Sequence, residues 1–196
     1  TNAQLDFSDL SFASLAGNVF LGTDFRGAKL WFANFRLADL TAAHLSGANF
    51  RGAIMYQANL SGLRLRGEIM SDVKLGGAIL VGVNFHRAII TDAELQGADL
   101  TESNLSSADL SRTSLAGANL TRTNLSGGKL VAASIKGANL SGANMKNANL
   151  KDADLSGSNL YGANLYGAKF AKFTIYFAHL CNTTLPSGNI SNRDCP

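Results

Sequence analysis

The sequence predicts an all-β solenoid: a chain wound into a square coil with its apolar residues stacked inside. Three observations predict it. Every residue whose number is a multiple of five, from Leu5 to Ile190, is Leu, Phe, Ile or Met: 38 positions, 25 of them Leu. The residue two before is small, Ala at 23 of the 38 places, with Ala28, Ala33, Ala38, Ala43, Ala48, Ala53 and Ala58 in succession. No insertion or deletion shifts this phase. With the apolar position called i, residue i−1 is Asn or Asp at about half of the places, and i+2 is Gly at 17 of 38.

A period of five fits neither a helix nor a flat strand. On a helix, apolar residues every five positions precess around the axis and leave no stripe to bury, and the abundance of Gly, Asn, Ser and Thr opposes a helix further. In a square coil each unit supplies one side and one corner. Residue i and the small residue at i−2 point inward and the other three face out. Position i+2 is then third in a corner running from i to the next i−2, where a type II turn requires positive φ. Asp72, Asp92, Asp152 and Asn147 stand in the same slot and tolerate that conformation better than most residues.

The consensus A-(N/D)-L-(S/T/X)-G, as in Ala98-Asp99-Leu100, Ala118-Asn119-Leu120 and Ala163-Asn164-Leu165, resembles the pentapeptide-repeat proteins over roughly residues 3–185. The resemblance implies a right-handed quadrilateral parallel β-helix with four units per coil, hence about nine 20-residue coils. Residues 20 apart should then stack, as in the interior column Phe20, Leu40, Leu60, Leu80, Leu100. Opposite charges fall 20 apart too: Asp6 with Arg26, Lys74 with Glu94, Asp92 with Arg112, Glu102 with Arg122, and Asp109 with Lys129. That register favours a 20-residue coil over one of 15 or 25. Outside, Asn84, Asn104, Asn124, Asn144 and Asn164, and likewise Asn119, Asn139 and Asn159, should form amide ladders.

Residues 1–185 read as the solenoid and 186–196 as a C-terminal cap. Its open ends invite edge pairing. Phe7 and Phe12 replace Gly at one end, and the repeat weakens after Phe173 at the other. The two cysteines, Cys181 and Cys195, flank the tail. They read as a disulfide clasp, with free thiols as the alternative. A clasp implies an oxidising compartment, periplasm or thylakoid lumen, whereas reduced thiols leave the cytoplasm open. The chain begins at Thr1 rather than Met, consistent with removal of a targeting segment. No apolar stretch of about 18 residues marks a membrane span.

No catalytic motif appears. His44, His86 and His179 share no column and join no carboxylate cluster, so they read as exposed polar residues, and no metal or cofactor is expected. Glu68 is anomalous: it occupies the inward i−2 position, and Leu63 precedes it in the same slot. It is either a buried carboxylate or the sign of a local distortion that lets it reach Arg64, Arg66 or solvent. Ile69 and Ile89 share an outer column, as a partner-binding face or as strand-favouring surface. Trp31 lies over Arg51 beside Phe32, as a cation–π stack or an interaction patch.

The expected function is therefore a non-catalytic structural or protein-interaction module, monomeric, with another protein as partner and no nucleic acid. This fits the uninterrupted repeats and terminal disulfides of the cyanobacterial and thylakoid-lumen members that the chain resembles. The alternative is a DNA-mimicking protein that engages gyrase or another type II topoisomerase, as in the quinolone-resistance branch. Mimicry of DNA needs an acidic rod. This chain carries a net charge of +3 with no run of five like charges.

Overall fold

The structure, a computed structural model, describes residues 2–196; Thr1 and the side chains of Lys172 and Phe173 lie outside that description. Each five-residue unit follows one local course. A bridging residue at i−1 is followed by an inward residue at i and a corner at i+1 and i+2. Thirty parallel bridges each join a residue to the one twenty positions later, from Gln4 with Asp24 to Asn164 with Thr184. One coil therefore takes twenty residues, and the chain is a parallel β-helix rather than a sheet of long strands.

Two backbone bonds build each regular rung, and a third joins the corners, from the i+2 N–H to the i+1 carbonyl of the next coil, as from Gly97 to Ala116 at 3.0 Å. The N–H at i donates to the i−1 carbonyl of the next coil, as Leu100 does to Asn119 at 2.7 Å. The N–H at i−1 donates back to the preceding coil, as Asn119 does to Ala98 at 2.9 Å. Corners close by a bond from the next i−2 N–H to the carbonyl of i, as from Ala98 to Leu95 at 3.1 Å. The i+2 residue has positive φ whatever its type: Gly82 at +66°, and equally Phe7, Phe32, Leu37 and Arg87 at 54–60°. Left-handed backbone costs an ordinary residue about 1–2 kcal/mol. The ladder bonds on either side of each corner, at about 0.5–1.5 kcal/mol each, offset that cost.

The Asn and Asp residues at i−1 cap their own corners. Their Oδ1 accepts the N–H two residues on: Asn59 from Ser61, Asn104 from Ser106, Asn119 from Thr121, at 3.1–3.2 Å. Where i+1 is Ser or Thr, its hydroxyl often donates to the same oxygen. This Asx turn explains the i−1 preference, and it corrects the expected amide ladders. Amide-to-amide contacts along the axis exist, Asn144 to Asn124 and Asn159 to Asn139, but both are long at 3.4 Å.

The interior is continuous from Phe20 to Leu180, its Leu and Ala rungs almost wholly buried. Phe20, Phe25 and Phe35 pack edge to face near its start, with centroids 5.3–5.9 Å apart. Leu5, Leu10 and Leu15 below them are only partly buried.

Four of the five expected charge pairs form: Lys74–Glu94, Asp92–Arg112, Glu102–Arg122 and Asp109–Lys129, at 2.6–3.5 Å. Asp6–Arg26 does not. Arg26 folds back onto Asp24 of its own unit, which is almost fully buried and takes both a side-chain and a backbone bond from it. The nearer partner wins because the bidentate fork needs no reach across coils.

Regular units run to Phe170. The 3-10 turn Lys172–Ile175 interrupts them, bridges resume at His179 and Thr184, and a hairpin of β1 (Thr183–Thr184) and β2 (Ile190–Ser191) closes the end. The tail occupies the place of the next coil. Asp194 Oδ2 accepts the Leu180 N–H at 2.8 Å, and Asn192 Oδ1 accepts the Asn182 N–H at 2.9 Å, where backbone carbonyls would otherwise stand. Cys181 and Cys195 are joined across this fold, their Cα atoms 4.8 Å apart.

Candidate interaction surface and an opened seam

Two features depart from the repeat. The first is an apolar corner near the N-terminal end. Phe12 and Phe32 fall at the same corner of successive coils with their rings stacked 5.4 Å apart at 13°. Trp31 stands exposed beside them, and Leu37 is exposed at the next corner of the same coil. The Phe32 ring in turn covers Gly52. A Cβ there would lie 2.4 Å from it, so that corner needs glycine both for space and for its φ of +66°. The Trp31–Arg51 cation–π pairing does not form; Arg51 turns toward Asp72 at 3.5 Å.

Ile69 and Ile89 bridge directly and are both exposed. They belong to the side next to the Trp31 corner, two to three coils further along the axis. The structure thus places Trp31, Phe32 and Arg51 in one group and Ile69 and Ile89 in another, on adjoining sides.

The second feature is a seam. Leu40 still donates to Asn59 and Gly52 to Ser71, but among the described residues no ladder bond joins the two coils between them. Among the described residues the bridges expected at His44–Arg64 and Asn49–Ile69 are missing, and so is one other, Asp154–Thr174 at the 3-10 turn. Leu63 and Glu68 explain the opening. They stack in columns where the preceding coil has Ala43 and Ala48, and neither fits the space of a methyl group. Leu63 stays buried and spreads the coils. Glu68 is half-buried, and its Oε1 accepts the Gly47 N–H of the preceding coil at 3.0 Å. It reaches neither Arg64 nor Arg66 by any ion pair. The corner before the seam is strained: Ala42 has φ 141°, and its N–H turns back to Leu40 O at 3.1 Å. A cavity of about 540 Å³ opens here, lined by Arg26, His44, Leu45, Ser46, Leu63 and Arg64.

A further polar group escaped sequence reasoning. The Tyr56 hydroxyl donates to Glu94 Oε2, while Lys74 Nζ donates to Oε1 at 3.1 Å. Gly76 makes this possible, since a Cβ there would meet the Tyr56 ring at 3.1 Å. The bond to Glu94 pushes the Tyr56 hydroxyl above its ordinary pKa, and the Tyr56 and Lys74 bonds hold the Glu94 carboxyl below its own. The signal in sequence was Gly at i+1, a position that is rarely glycine here. His86 Nδ1 lies 2.7 Å from Ser106 Oγ, a surface contact. Among the described residues no three His, Cys, Asp or Glu side chains are grouped to hold a metal, and no helix is long and apolar enough to cross a membrane.

The family model for pentapeptide repeats matches residues 3–41, 33–67, 69–106, 99–137 and 133–171. The chain belongs to the pentapeptide-repeat family. Its fold is accordingly that family's right-handed β-helix. Among solved structures the chain is similar to HetL, a pentapeptide repeat protein involved in heterocyst differentiation regulation from the cyanobacterium Nostoc. The two share 28% identity over 97% of this chain and 88% of HetL, with a TM-score of 0.47. Rfr23 from the cyanobacterium Cyanothece shares 30% identity over 58% of this chain and 88% of its own, TM-score 0.45. QnrB1, a plasmid-mediated fluoroquinolone resistance protein, shares 20% over 82% and 90%, TM-score 0.41. Among curated proteins, none matches the chain.

Proposed function

We propose that this pentapeptide-repeat chain is a non-catalytic structural or protein-interaction module whose partner is another protein. The coil is four-sided and about nine coils long, with residues 1–185 as the solenoid and 186–196 as its cap. It works as a monomer in an oxidising compartment, periplasm or thylakoid lumen. The observation that carries the binding role is the apolar corner. Phe12, Trp31 and Phe32 stand exposed on a laddered support, with Leu37 exposed at the next corner, and an exposed apolar patch is a common mark of a protein contact. Aromatic anchors held in place lose little entropy on binding. The Cys181–Cys195 bridge supports the compartment. Engagement of a DNA-binding enzyme by mimicry stands below this reading, because the outer charges are paired along the faces and the net charge is +3.

A photo-crosslinking residue at position 31, exposed to an extract of the native compartment, tests the binding role. The expected result is a discrete protein adduct that a Phe12→Ala, Phe32→Ala background weakens. No adduct, or the same adducts from a crosslinker placed at Lys129, would remove the corner from consideration.

A further inference from the structure

We propose that the seam between residues 42–46 and 62–64 is a binding site for a carboxylate. Among the described residues from Leu5 to Leu165, the N–H at i has a carbonyl acceptor in the next coil except at Leu45 and Phe50 in the seam and at Leu155 before the 3-10 turn; of these three only Leu45 lines the cavity. Leu45 N–H has none, because the Arg64 carbonyl that should accept it has moved away; among the described residues Arg64 N–H also lacks an acceptor. Buried amides are nearly always paired, so an open one that lines a cavity marks a place for an outside acceptor.

The protein shows which acceptor fits. Gly47 N–H, deprived of its own carbonyl by the same seam, is met by the Glu68 carboxylate at 3.0 Å. At the C-terminal end, where the next coil is also missing, Asp194 does the same for Leu180 N–H at 2.8 Å. In both places a carboxylate oxygen replaces a carbonyl on a free rung. Leu45 stands two residues before Gly47 in the same unit, and its N–H has no such side chain to serve it.

The charge of the cavity agrees. Arg26 is held by Asp24 at 2.6 Å and is neutralised, but Arg64 has no ion-pair partner among the described residues. Arg64 and the Leu45 N–H thus offer a charge-assisted donor beside a backbone donor, the pair that a carboxylate accepts best. His44 and the Ser46 hydroxyl complete the polar wall. A volume near 540 Å³ accommodates a small carboxylic acid or the acidic side chain of a peptide. The site is independent of whatever meets the Trp31 corner.

The test uses the whole chain, labelled with 15N, and two probes: acetate, and a blocked tripeptide with a central glutamate. The expected result is a saturable shift of the Leu45 amide resonance. Saturation by acetate identifies a free-acid site, and saturation by the peptide alone identifies an acidic protein segment. Arg64→Ala should weaken the binding about tenfold, the loss of one charge-assisted bond. The double variant Leu63→Ala, Glu68→Ala places the commonest residue of this repeat at both positions. It should close the seam and abolish the shift while the other amide resonances persist. Absence of a saturable Leu45 shift with either probe, or undiminished binding in the closed variant, would overturn the assignment.

Discussion

Asp24 is almost buried beneath the Arg26 guanidinium, and that side-chain bond, with the Arg26 N–H, depresses its pKa to about 2. The ordinary value in an unfolded chain is near 3.9. A carboxyl with a depressed folded pKa stabilises the fold above its unfolded pKa and loses that contribution as pH falls through the folded one. Stability should therefore drop between about pH 4 and pH 2, and Asp24→Asn should flatten that part of the curve. Urea unfolding followed across this range measures it, and an unchanged acid limb in the variant would show that the pair contributes nothing. Glycines sort in the same local way. Gly82 has φ +66° and open space where a Cβ would go, whereas Gly52 has the same φ with the Phe32 ring over it. Gly82→Ala should cost about 1 kcal/mol from backbone strain alone. Gly52→Ala should cost more and expose Phe32 further, which near-ultraviolet spectra would register. Little of this was legible beforehand. The preference for Asn and Asp at i−1 is plain in the repeat, but an Asx turn and an axial ladder ask for the same residues. Only the direction of Oδ1 separates them. For Tyr56 the one hint was Gly76 at i+1; its partner, Glu94, lies 38 positions away and no repeat pattern links them.

At the scale of the element, one five-residue unit has no stability of its own. Its inward Leu and Ala are buried only by the coils on either side, which is why phase matters more than any single residue. A Leu100→Ala substitution in the middle of the stack should cost about 2–5 kcal/mol, because packed rungs collapse poorly around a void. Chemical unfolding measures that loss, and a value below 1 kcal/mol would mean that the stack is loosely packed. The fold was legible at this level for a simple reason: a five-residue apolar period satisfies no other regular structure. The seam was half legible. Leu63 and Glu68 were visible as misfits in a small slot. What no pattern indicated was how the chain would absorb them: by parting two coils and lending the Glu68 carboxylate to an orphaned amide, rather than by turning Glu68 out to Arg64 or Arg66. That outcome depends on the gap between coils, which no single position encodes.

Along the whole molecule the coils are coupled only to their neighbours, so stability should be close to a sum over coils and their interfaces. The C-terminal end is held by the tail and the Cys181–Cys195 bridge, 14 residues apart in sequence. Replacing both cysteines with Ser should cost about 3 kcal/mol in the loop-entropy description, and the loss should fall on the last coil. The N-terminal end offers less, with partly buried Leu5, Leu10 and Leu15 and exposed Phe7 and Phe12. Between these ends lies the seam, where the ladder bonds of two successive sides are missing among the described residues. Amide hydrogen exchange, read residue by residue, tests this picture most directly. The account predicts slow exchange at i and i−1 positions along the interior coils, with a sharp minimum of protection at Leu45, Phe50, Arg64 and Ile69. Protection at those four amides equal to that of Leu100 and Asn119 would contradict it.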